Sequence, residues 1–362
     1  MVEYQAIMKI ISHNKPFLDR KEIEAVTKVL QSRWLISGPE VAKLENNLKN
    51  LIKAEYALAV NNGTSALHLS LITLGVKPKD EVILPTYTCS ALLNAVYYIG
   101  AVPILVDIEG EGFNMDPAQV RKKLNKNTKA IIVPHTFGLP AKIDEIKNVS
   151  KVKVIEDCAI ALGSSYRGKP LGAYGDISIF SFYVTKMIAT GQGGAITTNN
   201  RKYYEEVKDL LANDQSREYK VRYNYHLTDI AAAIGNIQLN KLESFVEKRK
   251  HIADSYVGVL KRKKNIQYFP NEKSNNFNHY RFIMKFSSKK QRDELWIGLR
   301  KMGITSIIPI TSFQLLHRYL KLDRKDFPNA EEATKTTLSL PMYPALIKEE
   351  VNRITAALDS LL

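Results

Sequence analysis

Seven short β-rich runs recur between about Tyr56 and Thr198: YALAV, EVILP, AVPILVDI, KAIIVPH, VKVIED, DISIFSF and GAITT. Stretches of helical length or spacing separate them, at Ser65 to Leu74, Ala91 to Tyr98, Asp116 to Leu124 and Ile143 to Asn148. A strand–helix rhythm of this kind predicts an α/β fold, with a mostly parallel sheet carrying helices on both faces. Two helices are expected before it, near Lys21 to Gln31 and Glu40 to Ile52, the second entered through Ser37-Gly38-Pro39 with proline early in its first turn. After it come a helix near Arg201 to Leu211 and a long one from about Thr228 to Tyr256. At 362 residues the chain has room for two domains. We divide it into a large domain over 1–257 and a small α+β domain over 258–362, the latter from the strand-like HYRFIMKF and helical stretches near Lys290 to Lys301 and Lys348 to Leu361.

Ligands of an open α/β sheet bind at the carboxyl ends of its strands, so the residues that follow each apolar run carry the chemical information. YALAV leads into Asn61-Asn62-Gly63-Thr64-Ser65. There Gly63 lets the backbone approach a ligand, and Thr64 and Ser65 offer hydroxyls and free amides at a helix start, a phosphate-binding arrangement. Taken alone, this is also an ordinary N-cap. Glu156-Asp157 closes VKVI, and a carboxylate in that place would pair with a protonated pyridine nitrogen. SIFSF delivers Lys186 just past its end, where an amine can form an imine with an aldehyde and then move a proton. Gly191-Gln192-Gly193-Gly194 follows, equally suited to a turn around a cofactor and to a plain turn before AITT.

Composition removes other classes. Of charged side chains 52 are basic and 37 acidic, a net +15, which raises the question of nucleic-acid binding. The basic residues are spread along the chain, and the densest run, Lys261-Arg262-Lys263-Lys264, reads as a solvated helix end or loop; the charge suits a phosphorylated small substrate as well. No nucleic-acid partner is expected. No run of eighteen apolar residues occurs and the opening MVEYQAIMKIISHNKPF has no signal-peptide pattern, so neither membrane insertion nor export is expected. Two cysteines, Cys89 and Cys158, make no disulfide framework or zinc spacing and fit a reducing cytoplasm. Gly163-Ser164-Ser165-Tyr166-Arg167-Gly168-Lys169 copies most of a P-loop, but Pro170 replaces the magnesium-binding hydroxyl, so we read a turn between strands. His135, His226 and His251 lack paired metal spacing, and no metal site is expected.

The order of phosphate loop, strand-end acid and strand-end lysine, the acid 29 residues before the lysine, is that of the fold-type-I enzymes of pyridoxal 5'-phosphate. The chain further resembles the DegT/DnrJ/EryC1/StrS sugar aminotransferases, from about Trp34 to its C-terminus, through WLISGPEVAKLE, NNGTSALHLSL, DEVILPTYT, VIEDCA, GDISIFSFYVTK, GQGGAITT, YNYHLTD and LPMYPAL. The resemblance implies that Lys186 is the catalytic Schiff-base lysine and Asp157 the partner of the pyridine nitrogen. Thr64 and Ser181 would hold the phosphate, with Gly63 and Ser65 shaping the loop. Asn224 would reach the phosphate of a neighbouring subunit, which implies a homodimer with shared sites. Two positions depart from the family: Ile160 stands where a glutamine often bonds the cofactor's phenolic oxygen, and Cys89 where an aromatic ring often stacks on the cofactor. A thiol packs there as a smaller, softer surface, and Tyr87 offers a compensating ring.

The implied activity is transfer of an amino group from glutamate or a similar donor to a nucleotide-linked keto sugar. Sugar dehydration on the same scaffold is the nearer alternative, although keto-sugar dehydratases of the family have histidine where this chain has Lys186. A non-catalytic regulatory or nucleic-acid-binding protein is the more distant one, and Lys186 and Asp157 speak against it.

Overall fold

The computed structural model describes residues 9–149, 151–212, 218–263, 266–269 and 275–362. Two helices lead, α1 (Arg20–Ser32) and α2 (Pro39–Ile52). There follow β1 (Tyr56–Val60), α3 (Gly63–Thr73), β2 (Glu81–Pro85), α4 (Ala91–Tyr98), β3 (Val102–Val106), α5 (Pro117–Lys123), β4 (Thr128–Pro134), α6 (Ile143–Asn148) and β5 (Lys153–Asp157). A small hairpin, β6 (Ser165–Tyr166) and β7 (Lys169–Pro170), precedes β8 (Ile177–Ser181), β9 (Gly194–Thr198), α7 (Arg201–Leu211) and α8 (Asp229–Leu260). The rest comprises β10 (Ile266–Tyr268), β11 (Asn275–Asn276), β12 (Phe282–Phe286), α9 (Lys289–Lys301), α10 (Leu316–Tyr319), α11 (Pro328–Thr336), β13 (Thr337–Leu340) and α12 (Lys348–Leu361).

The seven runs read from the sequence make one sheet in the order β1-β9-β8-β5-β4-β2-β3. Its inner pairs are parallel, and only β9 runs against its two neighbours. Side chains alternate across it: Leu84, Ile132, Ile155 and Ile179 enter one apolar core, while Ile83, Ile131, Val154 and Phe180 enter the other. With both faces covered, the strands are apolar over most of their length, which is why their sequences read as continuous runs. The P-loop look-alike is the β6–β7 hairpin, turning at Arg167 and Gly168, both with positive φ.

A third core lies against the antiparallel sheet β10-β12-β13. The long helix α8 serves two cores, giving Leu242 to the second and Ile252, Tyr256 and Leu260 to the third. It outruns the expected end at Tyr256 by four residues, because Val259 and Leu260 still have that core to bury against. Lys261 and Arg262 are exposed just beyond it, and Lys264 lies outside the described residues. At the other end Asp229 caps a helix distant in sequence: its carboxylate accepts the amides of Gly38, Glu40 and Val41 at the start of α2, where Gly38 has no side chain to do so. No helix among the described residues is long and apolar enough to cross a membrane.

Candidate active site

Because β1, β4, β5 and β8 point the same way, their carboxyl ends share one edge of the sheet. Two adjoining cavities open there, of about 530 and 250 Å³, with Cys89, Leu92, Asp157, Ala159 and Lys186 lining both.

The larger cavity is floored by the start of α3. Asn62 caps that helix by accepting the Ser65 amide at 2.8 Å, and the Ser65 hydroxyl donates to Asn61 at 2.7 Å. Ser65 is therefore spent on the loop's shape, while Thr64 and Ser181 face the cavity. The amides of Gly63 and Thr64 belong to a first helical turn, where no intrahelical carbonyl precedes them. The backbones here approach more closely than side chains allow. A Cβ on Gly63 would lie 3.1 Å from Ser181 Cβ, and one on Gly194 would lie 2.6 Å from the Asn62 carbonyl carbon and 2.9 Å from the Gly63 nitrogen. Gly194 is thus a requirement of the phosphate-type loop and not only of its own turn. Gln192 also lines this cavity.

Lys186 and Asp157 meet because β8 is the sheet neighbour of β5, with Asp157 opposite Ile179. The loop carrying Lys186 is held at both ends: Phe182 and Gly193 are bonded through the backbone, Thr190 donates to the Phe182 carbonyl, and the Lys186 amide donates to the Tyr183 carbonyl at 2.8 Å. Asp157 is buried, and its Oδ1 accepts the Ala159 amide at 2.9 Å. Burial raises its carboxyl above the ordinary value, and the Ala159 amide and the Lys186 ammonium draw it back down. A further cation against this carboxylate would favour its charged form.

Behind Asp157 stands a buried polar block. The Ala141 amide donates to His135 Nδ1, so Nε2 carries the proton and donates to Glu156 at 3.0 Å. Glu156 also accepts the amides of Gly172, Tyr174 and Gly175 and the Ser178 hydroxyl. Burial alone would raise its carboxyl, but His135 and these amides hold it below the usual value. His135, Glu156 and Cys158 place their polar atoms within 4.8 Å of one another. The histidine and the carboxylate are engaged in these bonds, and burial pushes the Cys158 thiol well up, so the trio supports the strand end that carries Asp157. The backbone amide of His135 donates to the Asp157 carbonyl, tying the block to the acid.

Besides Thr136 just past β4, the smaller cavity reaches residues outside the strand-end pattern: Tyr280, Arg281, Gln314 and Tyr319. Tyr280 and Arg281 precede β12 instead of following a strand, so the carboxyl-end rule passes over them. Ile160 lines this cavity, as does Tyr87, whose ring packs against Phe113 and Phe137 at 6.1 and 6.0 Å. Cys89 is exposed at the junction of the two cavities. Asn224 is exposed and lines neither. Of the other histidines, His226 bridges to Val60 beside the loop, and His251 is paired with Glu247 on the surface of α8.

The donor set fits pyridoxal 5'-phosphate on three counts. A lysine and a buried carboxylate with one oxygen taken by a single amide share a cavity, a helix start with free amides lies beside them, and two glycines keep the loop open where a Cβ would collide.

The sequence matches the DegT/DnrJ/EryC1/StrS aminotransferase family over residues 16–359. It is 35% identical over 365 residues to a GDP-perosamine synthase of Escherichia coli O157:H7, covering 97% of this chain and 98% of that protein. Against a GDP-perosamine synthase of Caulobacter vibrioides it is 34% identical over 364 residues, covering 97% and 98%. Among solved structures, the PLP form of the putative sugar aminotransferase Spr1654 from Streptococcus pneumoniae superimposes with a TM-score of 0.90 at 28% identity over 98% of each chain.

Proposed function

The chain belongs to the DegT/DnrJ/EryC1/StrS aminotransferase family, and we propose that it uses pyridoxal 5'-phosphate to move an amino group from glutamate to a nucleotide-linked keto sugar. The observation that carries the reading is the placement of Lys186 and Asp157 in one cavity beside the free helix start at Gly63. When bound, the cofactor supplies an aldehyde that carries nitrogen and a pyridinium ring that withdraws electrons from the bonds being broken.

The protein's own groups have separate tasks. Asp157 would hold a proton on the ring nitrogen by its charge, in a setting where burial strengthens such an ion pair. Thr64, Ser181 and the amides of Gly63 and Thr64 would hold the phosphate, and Gly63 and Ser65 shape the loop. Cys89, exposed where the two cavities join, would pack against the ring. Lys186, which lines both cavities, would supply the amine that holds the aldehyde and, when free, the base that carries a proton. The side chain of Ile160, on the wall of the smaller cavity, has no hydrogen bond to give a phenolic oxygen.

In this reading the enzyme is a cytoplasmic homodimer, and Asn224 of each chain serves the site of its partner; its exposure outside both cavities of its own chain supports that placement. Both cysteines are free thiols, as a reducing compartment requires. The large domain covers 1–257 and the small one 258–362, with α8 crossing between them. Sugar-linked names among the relatives support the substrate class.

The test begins with the visible absorption of cofactor on the purified protein. Glutamate should change that absorption and release 2-oxoglutarate, and the treated protein should then aminate one of a panel of nucleotide keto sugars, read by mass. Lys186→Ala should lose both the absorption and turnover. Retention of both in that variant sinks the assignment.

A further inference from the structure

The smaller cavity has two walls that come from distant parts of the chain. Residues 87–90, which continue β2, form one; Gln314 and Tyr319, before and on α10, belong to the other. Behind them lies His317, fully buried and with no part in the chemistry above. Its amide donates to Thr86 Oγ1 at 3.1 Å, its Nδ1 lies 2.7 Å from the same oxygen, and the Leu316 amide donates to the Thr86 carbonyl at 3.1 Å. Thr86, itself fully buried, stands directly before Tyr87. On the far side of the ring, Nε2 lies 3.0 Å from Glu331 of α11, a carboxylate that Arg318 grips at 2.7 Å. A carboxylate only accepts, so Nε2 carries the proton and Nδ1 accepts from the Thr86 hydroxyl. The ring is also stacked on Phe327, with centroids 4.5 Å apart and planes 7° from parallel. A second proton would turn Nδ1 into a donor, and among the described residues the Thr86 hydroxyl hydrogen would then have no acceptor. Burial holds His317 below the ordinary histidine value, Arg318 adds to that, and the acids that face it, Glu331 and Asp107, pull the other way.

Resting on the transamination reading above, we propose that His317 is a positioning residue that clamps the wall bearing Gln314 and Tyr319 to the end of β2, and so fixes the shape of the cavity that the substrates enter. The grips assigned to the cofactor, Gly63, Thr64, Ser181, Asp157 and Lys186, all line the larger cavity, and none of them belongs to this wall. A loosened wall therefore leaves the cofactor held and changes what can lie beside it. Arg318 and Glu331 line neither cavity; they hold the ring that holds the wall. Glutamate and the keto sugar both need the space next to Lys186, so without the clamp each would have to re-form the wall on binding. That cost falls on ground state and transition state alike, and appears in KM and not in kcat.

The experiment uses the protein loaded with pyridoxal phosphate, in wild-type form and as His317→Gln, Thr86→Val, Thr86→Ser and the double variant His317→Gln with Thr86→Val. Hydrogen–deuterium exchange reads the wall around α10, and KM and kcat are measured for glutamate and for the nucleotide keto sugar. His317→Gln and Thr86→Val should each speed exchange there and raise both KM values about threefold to tenfold, the equivalent of one lost hydrogen bond. Cofactor absorption and kcat should stay within about twofold, and Thr86→Ser, which keeps the hydroxyl, should behave as wild type. The double variant should be no worse than either single one, because both remove the same bond. As pH falls below the ordinary histidine value of about 6.5, wild-type KM should rise toward that of His317→Gln, whose own KM should change less. Unaltered KM values, with or without faster exchange, overturn the proposal, as do losses that add in the double variant. A wild-type protein that releases no 2-oxoglutarate from glutamate counts against transamination alone, and the clamp between the walls then stands on faster exchange that does not add.

Discussion

Glu45 gives the structure a pH dependence that can be worked through. It lies on α2, where its Oε1 accepts the amide of Ala59 at 2.8 Å, on the strand β1 that forms one edge of the large sheet. The bond covers an edge amide that would otherwise be open to pairing. Burial pushes the carboxyl from 4.5 up to about 7, against the Ala59 amide and Lys208, which lower it. Below pH 4.5 both folded and unfolded chains hold the proton and Glu45 has no effect on their balance. Between 4.5 and about 7 the unfolded chain loses its proton first, so the folded state binds more protons and stability falls as pH rises. At about 1.4 kcal/mol per tenfold change in proton affinity the full loss is about 3 kcal/mol, and solvent reaching a partly exposed side chain reduces it toward about 1 kcal/mol. Glu45→Gln keeps the oxygen that accepts from Ala59 and removes the titration. Urea unfolding followed by circular dichroism at pH 4.5, 6 and 8 should show the two proteins nearly equal at the lowest pH and the variant more stable by about 1 to 3 kcal/mol at the highest. A difference that stays constant from pH 4.5 to 8 would refute the reasoning.

Other substitutions test the site's construction. Gly194→Ala forces a Cβ against the backbone of Asn62 and Gly63; it should cost about 1 to 3 kcal/mol in stability and weaken cofactor binding at least tenfold, read from the visible absorption, and unaltered affinity would argue against the close loop contact. Glu156→Gln turns an acceptor of three amides and a hydroxyl partly into a donor, and thermal or urea unfolding should register a loss of about 2 to 4 kcal/mol. Asp229→Ala strips three amides at the start of α2 of their acceptor, an expected loss of about 2 kcal/mol that a denaturant midpoint unchanged from wild type would contradict. Asp157→Asn keeps the shape and removes the charge, so cofactor should still bind while the glutamate half-reaction slows by about a hundredfold or more in stopped-flow absorption.

The strand–helix alternation from Tyr56 to Thr198 was legible because every strand of the sheet but its margins is covered on both faces, and that coverage writes itself into the chain as apolar runs. The polar residues that end those runs were legible for the same reason: Gly63 to Ser65, Asp157, Ser181 and Lys186 stand where the apolar runs stop and a ligand edge begins, and all of them line the larger cavity. Strand order was not written there. Alternating apolar runs are satisfied by many arrangements, and only the pairing of β8 with β5 brings Lys186 to Asp157, while the insertion of β9 against both its neighbours presses Gly194 onto the Asn62–Gly63 backbone. Tyr280 and Arg281 enter the same cavity from the start of a different sheet, more than ninety residues beyond Lys186, and Asp229 caps a helix nearly two hundred residues before it. Local periodicity is a property of a segment and its own buried faces; which segments become neighbours is settled by the packing of the whole chain.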